Sequence, residues 1–358
     1  MNMDLSDRAV SIREGEELDV KKVEEFLKDS ITGLSGDLVV EQFPSGFSNL
    51  TYLIRVGERE MVLRRPPFGR KAKTAHDMGR EFRILSALNG VYPYTPKPLL
   101  YSEDPEVMGC PFYVMERIPG IILRKDMPKG LDFTPEQGRA LCHTLMDVLC
   151  ELHAIDYKAV GLQDFGRPVG YVRRQVEGWS ERYRQARTPD APTFENFMKW
   201  LEERIPEESS RYSVIHNDYK FDNVVLSLKD PLKIIGVLDW EMATIGDPLM
   251  DLGCSLAYWV HPTDSPGVQA ASMMVTHMPG LLTKAEMVER YARTAGIKLS
   301  MDDFMFYYCF GIFRVAVIMQ QIYYRYYHGQ TKDKRFAMLI FSSHIIDEEL
   351  RKQIPDLA

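Results

Sequence analysis

The sequence predicts an α+β fold of two lobes, a small β-rich N-terminal lobe over residues 1–117 and a larger, mainly helical C-terminal lobe over residues 118–358. Three observations predict it. Strand-like runs dominate residues 38–64 and return at 99–115, with a single helical segment between them. Helical periodicity takes over from Thr134. Set within that helical half is a polar segment, His216-Asn217-Asp218-Tyr219-Lys220-Phe221-Asp222-Asn223, followed one strand later by Val237-Leu238-Asp239-Trp240-Glu241.

The elements follow in order. Val20, Val23, Phe26 and Leu27 fall at helical spacing, with Asp19 as the N-cap. Residues 38–43, 49–56 and 60–64 read as strands, and Gly57-Glu58 as part of a hairpin turn between the last two. Residues 74–88 read as a helix with Phe82, Leu85 and Leu88 on one side. Pro93 and Pro98 break the pattern, and residues 99–101 and 112–115 give two more strands. Ile118-Pro119-Gly120 then leads into the second lobe.

Residues 135–153 read as a helix whose cap is Thr134. Gln137 completes a capping box, and Pro135 sits at the first helical position, where a missing N–H costs nothing. Residues 194–203, 284–295 and 302–327 also read as helices. The last is rich in Phe and Tyr, which suits core and groove lining better than a cofactor box. There is no internal repeat and no low-complexity tract.

Composition narrows the function. A net charge of -7 argues against a nucleic-acid surface, which needs a basic face. The five cysteines, Cys110, Cys142, Cys150, Cys254 and Cys309, are scattered and form no C-x-x-C pair, as expected of reduced core thiols. The charged N-terminus is unlike a signal peptide, and no uninterrupted apolar run approaches a membrane span. A cytoplasmic protein with neither membrane nor nucleic-acid partners is the expectation. Oligomeric state is not legible.

The polar segment has the pattern H-x-D-x-x-x-x-N, then D-W-E. Val214-Ile215 reads as the end of a buried strand, and the loop after it is too polar to be buried without a purpose. Val224-Val225-Leu226 and residues 232–238 read as two strands around a turn marked by Asp230-Pro231. Such a hairpin brings Asp239 back beside the loop carrying Asp218 and Asn223. Phosphoryl transfer from a nucleotide needs a carboxylate to orient and deprotonate the attacking hydroxyl, and an amide oxygen and a second carboxylate to hold magnesium. Asp218, Asn223 and Asp239 have the types and order for those tasks. Taken singly, each Asp would read as a cap.

These residues, with the continuation Ile245-Gly246-Asp247-Pro248-Leu249-Met250-Asp251-Leu252-Gly253, resemble the aminoglycoside phosphotransferase and choline kinase superfamily, small-molecule kinases with a protein-kinase-like fold. The likeness runs from about Leu38 to Gln330, and is narrower toward the branch related to the kinase-like domain of some acyl-CoA dehydrogenases. It implies an ATP-dependent phosphotransferase with an alcohol acceptor, using Mg²⁺, with Asp218 as base and Asn223 and Asp239 on the metal. GTP stays open as donor, because the hinge reads the base through the backbones of Glu116 and Ile118. His216 becomes a loop organiser.

The turn between the first two strands, with Gly46, Phe47, Ser48 and Asn49, becomes the phosphate-covering loop; there is no Walker A motif. Arg64 stands where the superfamily usually has lysine, with Glu81 as its helix partner. The same branch shares that arginine, which binds phosphate oxygens bidentately. Asp247 is expected to cap a helix at Pro248, and Asp251 to stabilise the loop after the metal site.

The acceptor is read from a lining of mixed basic and aromatic residues. Arg314, Gln321 and Arg325 on the last long helix are the candidate acceptor-binding groups. Arg314 lies in an apolar stretch and needs a partner or a ligand. The resemblance implies a hydroxyacyl-CoA or related hydroxy compound. The alternatives are a non-catalytic nucleotide-binding protein and an amino-sugar or aminoglycoside kinase. A protein kinase ranks third, since there is no Ala-Pro-Glu segment.

Overall fold

The computed structural model describes residues 5–44, 49–68, 77–208, 211–272, 274–275 and 278–354. Gly46, Phe47 and Ser48 lie outside them. The chain divides into two compact units, residues 1–122 with 223–243, and residues 123–222 with 244–358. The first unit thus runs slightly past the sequence division at 117 and takes in the later hairpin.

The first unit opens with helix α1 (Val20–Ser30), capped by Asp19, whose carboxylate accepts the Lys22 N–H. Val23 and Leu27 form its buried face. Strands β1 (Leu38–Gln42), β2 (Leu50–Val56) and β3 (Arg59–Arg65) form an antiparallel meander. Val56 pairs with Arg59, which leaves Gly57-Glu58 as a two-residue turn. Gly57 has φ +61°, and a Cβ there would lie 2.6 Å from the Ser35 carbonyl oxygen, so no other residue fits. Helix α2 (Met78–Leu88) starts at Asp77, which caps Arg80 N–H. Strand β4 (Pro98–Ser102), the short helix α3 (Pro105–Met108) and strand β5 (Phe112–Glu116) complete a sheet of order β1-β2-β3-β5-β4. Tyr52, Ile54, Leu63 and Val114 pack with the buried face of α1 as its core.

The second unit begins with helix α4 (Pro135–His153), whose Thr134–Gln137 capping box forms as expected. Helix α5 (Tyr171–Ala186) is not among the helices expected from sequence, because its charges hide the buried stripe of Tyr171, Val176, Trp179 and Tyr183. Helix α6 (Glu195–Glu203) and strand β6 (Ser213–Ile215) follow. The chain then supplies the first unit with the hairpin β7 (Val224–Leu226) and β8 (Ile234–Val237), before returning as β9 (Thr244–Gly246), which pairs with β6. Helices α7 (Pro248–Ala257), α8 (Pro266–Ala271), α9 (Lys284–Ala295), α10 (Met301–Tyr327) and α11 (Leu339–Gln353) complete it.

Helices α7 and α10 meet backbone to backbone. A Cβ on Gly253 would lie 2.2 Å from the Tyr307 carbonyl, and one on Gly311 would lie 2.2 Å from the Gly253 carbonyl. Contrary to the sequence expectation, α10 is long and apolar enough to cross a membrane, but 72% of its apolar window is buried inside the protein. That burial explains its all-round apolar character.

Candidate active site

Arg64 is the centre of the first unit's polar cluster. It lies near the end of β3, an interior strand, so its side chain is 9% exposed. Its Nη1 donates to the carboxylate of Glu81, which α2 presents fully buried. Its Nη2 donates to Asp239 Oδ1 at 3.0 Å and lies 3.7 Å from Glu241 Oε2. Burial opposes the charge on Arg64, and Glu81, Tyr113, Asp239 and Glu241 outweigh it, holding its pKa well above the usual value. Burial likewise pushes the Glu81 carboxyl up, with Arg64 pulling it back. The Arg64–Glu81 pairing expected from sequence is present, and Asp239 and Glu241 join it.

The hairpin positions Asp239. Val224 pairs with Val237, and Leu238 N–H donates to Asn223 O at 2.8 Å, so Asn223 and Asp239 sit at adjoining positions on the two arms. Trp240 anchors the end: its indole donates to Val237 O at 2.9 Å and its ring meets Tyr92 edge-on. Asp239 adopts φ +66°, a conformation that costs an aspartate little and turns the chain sharply after β8. Asn49, nominated for the phosphate-covering loop, donates its amide to Glu241 Oε2 at 2.8 Å. Glu241 is therefore a residue that the sequence analysis quoted but gave no role. At the hinge, Glu116 N–H donates to Lys97 O at 2.8 Å and Ile118 is half-buried.

The donor set fits a divalent cation. Glu81, Asp239 and Glu241 share one guanidinium, which leaves a formal excess of negative charge, and the Asp239 side chain is 37% exposed. Among the described residues no three His, Cys, Asp or Glu side chains form a metal cage. An amide oxygen and a carboxylate at the adjoining positions Asn223 and Asp239 are oxygen donors of the kind that Mg²⁺ takes, with water and phosphate oxygens filling the rest of its shell.

The second unit carries the H-x-D loop. His216 and Asn217 present consecutive backbone N–H groups to the two oxygens of Asp251, each at 2.7 Å. Asp251 is fully buried on α7 and also receives His153 Nε2 at 3.0 Å. Burial would raise its pKa, but His153, His216 and the loop amides hold it below the usual carboxylate range. Asp251 thus braces the H-x-D loop itself, not the loop after the metal site, as sequence suggested. Asp247 caps α7 through Leu249 N–H at 2.8 Å, as expected.

His216 is fully buried, and its Nδ1 accepts Asp218 N–H at 3.3 Å. Asp218 pairs with Lys220, whose Nζ also lies 3.5 Å from Asp222 and 5.2 Å from the Tyr258 ring. Lys220 keeps its charge against burial because both carboxylates face it. Sequence reading missed Lys220; its position two residues from each carboxylate was the available signal.

The candidate acceptor residues share helix α10 and differ in burial. Arg314 is 4% exposed and donates to Asn217 O at 2.7 Å, with its guanidinium 5.2 Å from the Trp179 ring. The partner demanded by its apolar setting is thus within the protein. Gln321 is half-buried and Arg325 exposed, while the neighbouring Gln320 is buried and bonds Ala186 O and Thr188 Oγ1.

Comparison with known proteins follows the same lines. The profile of the phosphotransferase enzyme family matches residues 39–293. Acyl-CoA dehydrogenase family member 10 of Mus musculus is 36% identical over 310 residues, which cover 86% of this chain and 28% of that protein. The chain spans little more than a quarter of that relative's length. An aminoglycoside phosphotransferase-like protein from Ralstonia eutropha has a TM-score of 0.79 at 28% identity, covering 94% of this chain and 98% of that one. Choline kinase from Cryptosporidium parvum has a TM-score of 0.57 at 13% identity over 93% and 98% of the two chains, a likeness of fold alone. The small antiparallel sheet and the helical lobe are those of the protein-kinase-like fold expected from the sequence.

Proposed function

This chain belongs to the phosphotransferase enzyme family, and we propose that it transfers the γ-phosphate of ATP to a hydroxyl of a small acceptor. The observation that carries this reading is the Arg64 cluster. A buried cation on β3 bonded to the α2 carboxylate is the arrangement a kinase-like lobe needs before it handles phosphates.

Asn223 and Asp239 would hold Mg²⁺, which when bound neutralises phosphate charge. Arg64 steadies phosphate oxygens beside them. Asp218 accepts the proton of the acceptor hydroxyl as its oxygen bonds to the γ-phosphorus and the bond to the β-phosphate oxygen breaks, releasing ADP. His216 keeps the loop in register by receiving Asp218 N–H. Lys220 offsets the charge of Asp218 and Asp222.

For the acceptor we favour a hydroxyacyl-CoA or related hydroxy compound. Support comes from the branch resemblance and from the name of the mouse relative. Incubation with Mg²⁺ and ATP and a panel of hydroxyacyl-CoAs, hydroxy acids, choline, sugars and aminoglycosides, read by mass spectrometry, tests it. A phosphate on one acceptor, lost by about 10²–10⁴-fold in Asp218→Asn with nucleotide binding kept, is the expected result. Transfer only to amino sugars sinks the acceptor class, and normal turnover by Asp218→Asn sinks the assigned base.

One observation favours a second reading, a non-catalytic nucleotide-binding protein. Arg64 Nη2 occupies Asp239, the carboxylate assigned to the metal. Tight Mg²⁺-ATP binding with no transfer to any acceptor would support it.

A further inference from the structure

Asn217 is gripped on every polar group that the peptide chain gives it. Its N–H is held by Asp251 of α7 at 2.7 Å, its C=O by Arg314 of α10 at 2.7 Å, and its side-chain Oδ1 accepts from the Tyr171 hydroxyl of α5 at 3.3 Å. The residue is 8% exposed and has φ +64°. Three helices thus converge on one left-handed residue immediately before Asp218.

The geometry of the next peptide gives this meaning. The Asn217 carbonyl and the Asp218 N–H belong to one rigid plane. Arg314 holds one edge of that plane, and the His216 ring holds the other through Asp218 N–H at 3.3 Å. Rotation of the plane would swing the Asp218 Cα–Cβ bond. Arg314 is itself fixed: it rises from the apolar length of α10, lies 5.2 Å from the Trp179 ring, and has a polar environment that includes Cys254 and Tyr258.

We propose that Arg314 is a positioning residue for the phosphoryl transfer, which orients Asp218 by locking the Asn217–Asp218 peptide plane, and is not a ligand for the acceptor. This rests on the reading of Asp218 as the base. It makes a distinction between kinetic constants. An acceptor ligand, when removed, raises the acceptor KM. A positioning residue, when removed, lowers kcat, because a displaced base is lost only in the transition state.

The test uses Arg314→Lys, Arg314→Gln and Arg314→Ala in the full chain, with the acceptor found by the mass-spectrometric panel. Arg314→Gln and Arg314→Ala should lose about 100-fold in kcat, the scale of an ångström-sized misplacement. Both KM values should stay within about threefold, a margin of about 0.7 kcal/mol that marks binding as intact. Guanidinium ion at millimolar concentration should restore part of kcat to Arg314→Ala. Hydrogen exchange of the segment 213–224 should quicken in every variant, including Arg314→Lys, which keeps the charge and loses the fork.

A raised acceptor KM with kcat retained, or unchanged exchange in that segment, overturns the proposal. Should Arg314→Ala fail to fold, the lysine and glutamine variants decide by the same readouts. Exchange needs no turnover, so a chain that transfers no phosphate would refute the functional reading while the exchange arm still judges the clamp.

Discussion

Replacing Asp251 by Asn removes one charge and reverses one hydrogen-bonding edge with almost no change of shape. Asp251 accepts the His216 and Asn217 N–H groups, each at 2.7 Å, and His153 Nε2 at 3.0 Å, with no exposure to water. Asparagine offers one accepting oxygen and one NH₂, which faces a donor. One buried N–H is therefore orphaned, at about 1–3 kcal/mol, and the surviving bonds lose charge assistance worth about 1 kcal/mol more. The expected loss is about 2–4 kcal/mol, or about 3–5 °C in the melting temperature of a protein this large.

The pH dependence follows from the direction of the shift. The folded Asp251 pKa is held below the unfolded value. Its contribution is thus fully present above the ordinary carboxylate pKa and is lost as pH falls below it, through the folded value. The stability gap between wild type and Asp251→Asn should narrow as the pH falls below about 4. Thermal melts on both sides of that pH, with far-ultraviolet circular dichroism, measure it. A gap under about 0.5 kcal/mol at pH 7, the scatter of an indifferent surface change, or a gap that widens on acidification, would refute the reasoning.

Two further perturbations test other parts. Glu81→Gln removes the buried partner of Arg64 while Asp239 and Glu241 remain within reach. It should cost about 1–3 kcal/mol by thermal melt and raise the KM for Mg²⁺-ATP, since the guanidinium then leans on the proposed metal ligand; an unchanged KM would argue that Arg64 does not govern nucleotide binding. Gly253→Ala and Gly311→Ala each force a methyl to 2.2 Å from a backbone oxygen across the α7–α10 contact. Each should destabilise by about 1–3 kcal/mol or more without altering either KM, and a melt within one degree of wild type would show that the helices part more easily than their packing implies.

What could be read from sequence was whatever is local. Caps at Asp19, Thr134 and Asp247 lie within three residues of the N–H they satisfy, so spacing alone finds them. The β7–β8 hairpin was legible because its turn chemistry and two apolar arms are contiguous, and with it came the neighbouring positions of Asn223 and Asp239. The same locality explains the failures. Asp251 lies four residues from Asp247 and reads as part of one capped helix, yet its partners are 34 and 35 residues upstream. Arg314 meets Asn217 across 97 residues, which no periodicity encodes. Its need for a partner was visible in its apolar setting, while the identity of that partner was not. Helix α5 was obscured for a different reason: Arg173, Arg174, Glu177, Glu181 and Arg182 crowd its exposed face and overwhelm a narrow buried stripe.

The arginine at position 64 was the main departure from the resembled superfamily, and its geometry turns that departure into an argument. A lysine ammonium is a point charge on a flexible stem, whereas a guanidinium is a planar fork that holds two carboxylates in a fixed relation. Here one prong meets Glu81 on α2 and the other meets Asp239 beyond β8, with Glu241 and its Asn49 partner alongside. The fork therefore ties two separately built pieces of one unit to each other, the helix and the end of the hairpin, and Asn49 joins the start of β2 to the second through Glu241. Replacement by lysine would keep the charge and surrender that fixed relation, so its cost should fall more on the placement of Asp239 than on the affinity for phosphate. On this account arginine at position 64 is compatible with phosphoryl transfer, provided that Mg²⁺-ATP draws Asp239 away from the prong that holds it.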